Sequence, residues 1–161
     1  MALNMADLFE HAVDTFPERV ALICRDRQVS YRVLDDEANR LAHHLAAQGI
    51  GPGGHVGLYA RNSIEAVTTL LATIKLRAVA ININFRYLAQ ELAYHLDDAG
   101  LDVLVHDKDL APVVDAVVPA GLPRVVIGGD YADALAAQSG ARDFGPRLPG
   151  GTPVLAPGTG S

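Results

Sequence analysis

Apolar residues along this chain recur first at helical spacing, then at strand spacing, and the two periods keep alternating. Leu8, Ala12 and Val13 form a stripe behind Asn4, which can cap a first helix with Asp7 near its positive end. Phe16-Pro17 closes that helix, because the residue before a proline resists the helical region. Residues 20–24 and 28–31 read as two short strands, a hairpin around Arg25-Asp26-Arg27. Ser30 can cap the next helix, which puts Leu34, Ala38, Leu41, Ala42 and Leu45 on one face. Asp35, Asp36, Asn39, Arg40 and His43 take the other face, expected to meet water, and Gly49 stops the helix. Residues 55–60 form a strand. Asn62-Ser63-Ile64-Glu65 then has capping-box spacing with Asn62 as the cap, opening a helix with Ile64, Val67, Leu71 and Ile74 on one side.

The period switches fastest between Lys75 and Asp98. Residues 78–83 are nearly all apolar, as in a strand covered on both faces. An Asn84-Phe85-Arg86 turn follows, then a helix over residues 88–99 expected to bury Leu88, Leu92 and Leu96 and to leave Glu91, His95 and Asp98 wet. Residues 102–106 and 124–127 are further strands, with helices over 110–118 and 130–138. This alternation predicts an α/β fold: a mostly parallel sheet with helices on both faces, connected right-handedly. From Gly140 the chain turns Gly- and Pro-rich. Residues 1–139 are therefore expected to form the α/β subdomain and residues 140–161 a linker or disordered tail.

Composition narrows the partners. Half of the 161 residues are apolar and the net charge is −6, which suits a soluble globular domain and argues against nucleic acid as the main partner. Cys24 is alone, so no intrachain disulfide can form and a reducing, cytoplasmic setting is expected. The N-terminus does not read as a signal peptide, and no apolar run reaches the roughly 18 residues of a membrane span.

The candidate chemistry is sparse. The run from Gly49 to Gly54 fits G-x-G-x-x-G, but the dinucleotide fingerprint needs a strand before it and a helix after it. Here that order is reversed, so a helix stop and tight turn explain the glycines better. The histidines lack ligand spacing, so no metal site is expected, and Cys24 lies in an apolar strand that suits no nucleophile. Asp35-Asp36-Glu37 and Asp97-Asp98 are expected to be solvated faces. Asn84 and Arg86 stand apart because they follow the carboxyl end of a central strand, where open α/β sheets bind ligands. Turn geometry for Asn84 and a surface ion pair for Arg86 are the alternative roles.

As an ensemble these segments resemble the beginning of an adenylate-forming enzyme, the superfamily of acyl-CoA synthetases, peptide-synthetase adenylation domains and luciferases. Val29-Ser30-Tyr31 with Leu34, Asn39-Arg40-Leu41-Ala42, His55-Val56-Gly57-Leu58 and Asn62-Ser63 with Glu65 match successive early motifs of that family. The stretch from Lys75 is similar to a core motif commonly written Lys-x-Gly-Ala-x-x-x-Pro-x-Asn; here Arg77 stands for the glycine and Asn82 for the proline. The wording Asn82-Ile83-Asn84-Phe85-Arg86-Tyr87 is closest to fatty-acyl-CoA synthetase branches.

The resemblance implies the N-terminal part of an enzyme that uses ATP and Mg²⁺ to turn a small-molecule carboxylic acid into an acyl-adenylate, then passes the acyl group to coenzyme A. It assigns no catalytic, cofactor or metal-binding residue here; Asn84 and Arg86 are expected to be substrate-proximal from their place after the central strand. The family's phosphate loop ends in Pro-Lys-Gly, whereas Gly158-Thr159-Gly160-Ser161 has no lysine, so this chain alone is expected to be inactive and to bind none of the cofactors tightly. Two other readings stand: a fragment that loads a carrier protein, and a freestanding α/β binding or assembly module. Exposed sheet edges lead to an expectation of self-association, or of association with the remainder of an enzyme.

Overall fold

The computed structural model describes residues 4–145; the composition-based expectation for residues 146–161 lies outside them. Helix α1 (Met5–Thr15) starts at Asn4, whose Oδ1 accepts the Ala6 N–H at 2.8 Å. Strands β1 (Val20–Cys24) and β2 (Arg27–Ser30) form the expected antiparallel hairpin. Helix α2 (Tyr31–Ala47) opens with Ser30 Oγ accepting the Val33 N–H. It ends at Gly49, which takes a left-handed φ of +92°. There the Ile50 and Gly49 N–H groups return to the carbonyls of Leu45 and Ala46, and Ile50 is buried. That is a glycine helix stop, the reading that the strand order favoured.

Strand β3 (His55–Tyr59) leads to α3 (Ile64–Lys75). The cap of α3 is Ser63, not Asn62: Ser63 has extended backbone, and its Oγ accepts the Ala66 N–H at 3.0 Å. Sequence spacing alone had shifted the cap by one residue. The stop of α3 repeats that of α2, with Ala78 and Arg77 N–H groups bonded to the carbonyls of Thr73 and Ile74. Here the left-handed position, φ +58°, is held by Arg77, where the resembled motif has glycine.

Strand β4 (Val79–Asn82), α4 (Ala89–Ala99), β5 (Val103–Asp107), α5 (Ala111–Val117), β6 (Arg124–Ile127) and α6 (Tyr131–Ala136) complete the order. Leu88 is not in the core as expected; it is 68% exposed. It occupies the extended residue before α4, where its N–H is taken by Glu91 Oε2, so its side chain leaves the helical stripe that buries Leu92.

Strands β3 to β6 form one parallel sheet in the order β4-β3-β5-β6. On one face, Leu41, Leu45, Ala72 and Leu135 of α2, α3 and α6 pack on Val56, Leu58, Val103 and Val105. On the other, Leu92 and Val114 of α4 and α5 pack on Tyr59, Ile81 and Leu104. The two-sided cover explains why β3 and β5 are buried along nearly their whole length rather than at alternate positions. No helix among the described residues is long and apolar enough to cross a membrane.

One expectation about the first face fails. Asp35 and Asn39, placed on the solvent side of α2, are buried, and Asp36, Glu37, Arg40 and His43 are half-buried. Part of the cover comes from residues 138–144, which run back along this face of α2.

Candidate functional site

The topology places a crevice before any side chain is considered. From β3 the chain crosses through α3 to β4 on one side; from β5 it crosses through α5 to β6 on the other. The carboxyl ends of β3 and β5 therefore diverge, and such a switch point is where open α/β sheets hold ligands. A cleft of about 420 Å³ lies there. Arg25–Arg27 at the hairpin tip, Arg61 to Glu65 after β3, Asp107 to Asp109 at the end of β5, and Ile127 and Gly128 at the end of β6 all line it.

Its charges are mutually engaged. Arg27 Nη1 meets Glu65 Oε1 at 2.7 Å, tying the hairpin to the start of α3. Asp107 Oδ2 accepts the Arg61 N–H at 2.8 Å, and the Arg61 guanidinium lies 3.8 Å from Asp107 and 3.7 Å from Asp109. Among the described residues no three His, Cys, Asp or Glu side chains gather to hold a metal. Burial, aided by the Glu65 charge, pushes the Glu37 carboxyl above its ordinary range, with Arg27 opposing. Glu37 is thus a poor member of the solvated acidic face to which its sequence assigned it.

Asn84 and Arg86 follow the carboxyl end of β4 on the same rim, and both are exposed. Asn84 Oδ1 accepts the Arg86 N–H at 3.0 Å and Asn84 O accepts the Tyr87 N–H at 3.0 Å, so Asn84 shapes the turn. The Arg86 guanidinium lies 5.7 Å from the Phe85 ring centre, and the Arg61 guanidinium approaches the same ring at 5.8 Å. The turn thus brings two arginines of different crossovers to one aromatic ring. Arg61 carried no motif signal in the sequence; its position after an apolar strand was the only clue. Tyr59, whose hydroxyl donates to Tyr87 O at 2.6 Å, anchors the far end of the turn, and burial raises its pKa.

A second polar centre lies away from the cleft, among α1, α2 and α3. Lys75, 1% exposed, pairs with Glu10 and, at 2.8 Å, with Asp35 Oδ1. Arg142 Nε meets Asp35 Oδ2 at 2.9 Å, and its Nη1 meets both oxygens of Asp14. Asn39 Nδ2 donates to Gly140 O at 2.9 Å and weakly to Asp35. Lys75 opens the stretch that carries the family resemblance, yet it faces Phe9 and these carboxylates rather than the crevice.

The sequence profile of the family described as AMP-binding enzyme matches residues 9–150. The chain is 44% identical over 159 residues to the 3-oxocholest-4-en-26-oate–CoA ligase of Rhodococcus rhodochrous, across 89% of this chain and 29% of that ligase. It is 53% identical over 119 residues to the medium/long-chain-fatty-acid–CoA/3-oxocholest-4-en-26-oate–CoA ligase of Mycobacterium marinum, across 74% of this chain and 22% of that one. Among solved structures, the anthranilate CoA ligase AuaEII in complex with anthranoyl-AMP superimposes with a TM-score of 0.80 at 29% identity, covering 87% of this chain and 28% of that one. The N-terminal domain of FACL13 from Mycobacterium tuberculosis does so with a TM-score of 0.79 at 28% identity, covering 87% and 38%. The chain thus spans less than a third of the length of the two curated ligases it is compared with.

Proposed function

The chain belongs to the AMP-binding enzyme family, and from that premise we propose that it is the N-terminal scaffold of an ATP-dependent acyl-CoA ligase. The observation that carries this reading is the crevice at the β3/β5 switch point in a chain similar to CoA ligases of fatty and steroid acids. In the whole enzyme a carboxylate oxygen attacks the α-phosphorus of ATP and pyrophosphate leaves. The coenzyme A thiol then attacks the acyl carbon and AMP leaves. Carboxylic acids with a large apolar body are the substrates we propose, and the cytoplasm the compartment.

Asn84 and Arg86 are proposed to be substrate-proximal, with Asn84 fixing the turn and Arg86 offering a cation at the rim. The metal step is assigned to no residue here. The 161 residues alone are proposed to be inactive, since they carry only two lysines, Lys75 buried in ion pairs and Lys108 on the cleft. ATP–pyrophosphate exchange with a panel of medium- and long-chain acids tests this: background rates are expected, and clear turnover refutes inactivity. Grafting residues 1–145 in place of the matching part of the Mycobacterium marinum ligase tests the scaffold reading. Acyl-CoA formation should survive; a folded chimera without it would count against the proposal.

Carrier-protein loading is the second reading. It draws on 36% identity over 119 residues to the dimodular nonribosomal peptide synthase of Bacillus subtilis, a weaker match than those to the CoA ligases. Self-association through the free edges of β4 and β6 is a further proposal, for which a monomeric mass at micromolar concentration would be the contrary result.

A further inference from the structure

We propose that residues 138–144 form a strap latched onto α2 by Arg142, releasable as a unit while the sheet stays folded. The inference goes beyond the ligase reading and does not depend on it. Three of the strap's polar contacts are single bonds from α2 side chains to strap carbonyls; His43 also pairs with Asp143 at 2.7 Å, and Arg77 Nη2 donates to Phe144 O at 3.2 Å. Arg40 Nη1 donates to Gln138 O at 2.6 Å, Asn39 Nδ2 to Gly140 O at 2.9 Å, and His43 Nε2 lies 3.0 Å from Ala141 O. No strand pairing supports it, because β6 ends at Ile127.

Arg142 differs from the rest of the strap. Asp35, in the largely buried cluster around Lys75, also faces the strap. The Arg142 guanidinium spans Asp35 and Asp14 together, both at 2.9 Å, which a planar fork can do and a point charge cannot. Since Lys75 continues to hold Asp35 without Arg142, the strap can leave without stripping the buried carboxylate of its partner. A cleft of about 410 Å³ lined by Asp14, Asp35, Asp36 and Asn39 runs beside the guanidinium and gives water a route to it. Gly140 shows how closely the strap is seated: a Cβ there would lie 2.0 Å from Asp36 Oδ1. The direction in which the chain leaves this layer therefore depends on the Arg142 pairs with Asp35 and Asp14, and ionic strength weakens them.

Chymotryptic cleavage after Phe144, followed by mass on the whole chain beside its thermal unfolding, tests the latch. Phe144 packs at a tilt against His43, ring centres 4.7 Å apart, and is partly buried against the core, so it is shielded only while the strap is docked. Arg142→Ala should raise the cleavage rate about tenfold or more with the unfolding transition intact, Arg142→Lys by less, and Asp14→Asn severalfold. Raising salt from about 0.05 to about 0.5 M should speed cleavage of the wild-type chain and leave Arg142→Ala unchanged. Equal rates in wild type, Arg142→Ala and Asp14→Asn would overturn the proposal. So would loss of the whole unfolding transition in Arg142→Ala, because the strap would then be part of the core.

Discussion

Lys75 and Arg86 carry the same charge and flank the same strand, β4, yet they live in opposite environments. Lys75 is sealed among α1, α2 and α3 with Glu10 and Asp35, while Arg86 lies exposed on the rim at the carboxyl end of the sheet. The difference teaches that a motif cation has no fixed role until its surroundings are known. A buried ammonium needs its carboxylates wherever it sits, so Lys75 joins three helices. An exposed guanidinium is not held by the fold, and that is the condition for meeting a ligand.

The sharpest way to break this comparison is to neutralise Lys75. Lys75→Met removes the ammonium shared by Glu10 and the buried Asp35 and should cost about 3–5 kcal/mol of unfolding free energy, read by urea denaturation. A loss below about 1 kcal/mol would mean that water reaches the cluster. Next comes Tyr59→Phe, which removes the bond that pins Tyr87 and should cost about 1 kcal/mol by the same measurement.

Glu37→Gln probes a third environment, half-buried, where desolvation outweighs the Arg27 charge. Its carboxyl pKa is raised on folding, so the folded state prefers the protonated form. The stability tied to it is complete below the unfolded carboxyl pKa and is lost as pH rises through the raised value. Glu37→Gln should therefore raise the melting temperature at neutral pH and leave it unchanged near pH 4; a gain at both would contradict the assignment. The smallest stability effect belongs to Arg86→Ala, within about 0.5 kcal/mol of wild type, while acyl-CoA formation by the grafted ligase should fall. An unchanged turnover would remove Arg86 from the site.

Much of the fold was legible because helices and strands announce themselves locally. Ser30 and Gly49 act as cap and stop where their chemistry requires, and the inverted order around the glycine run ruled out a dinucleotide site. Asn84 and Arg86 were legible as a turn, and the structure gives that turn its Asn84 hydrogen bond. Arg61 was not legible, because its approach to Phe85 joins two different crossovers. Leu88 misled because a residue at the helix entrance does not share the helical direction of Leu92.

The sequence by itself determined the alternation of strands and helices, the two-sided cover of the sheet and the family. Each follows from residue period and local backbone chemistry. Only the tertiary structure decided that Asp35 and Asn39 are buried, that Lys75 is structural, and that residues 138–144 lie along α2. The physical reason is that a polar helix face satisfies water and a polar partner segment equally well. Periodicity marks the face; the partner, contributed from more than ninety residues away, is supplied only by folding.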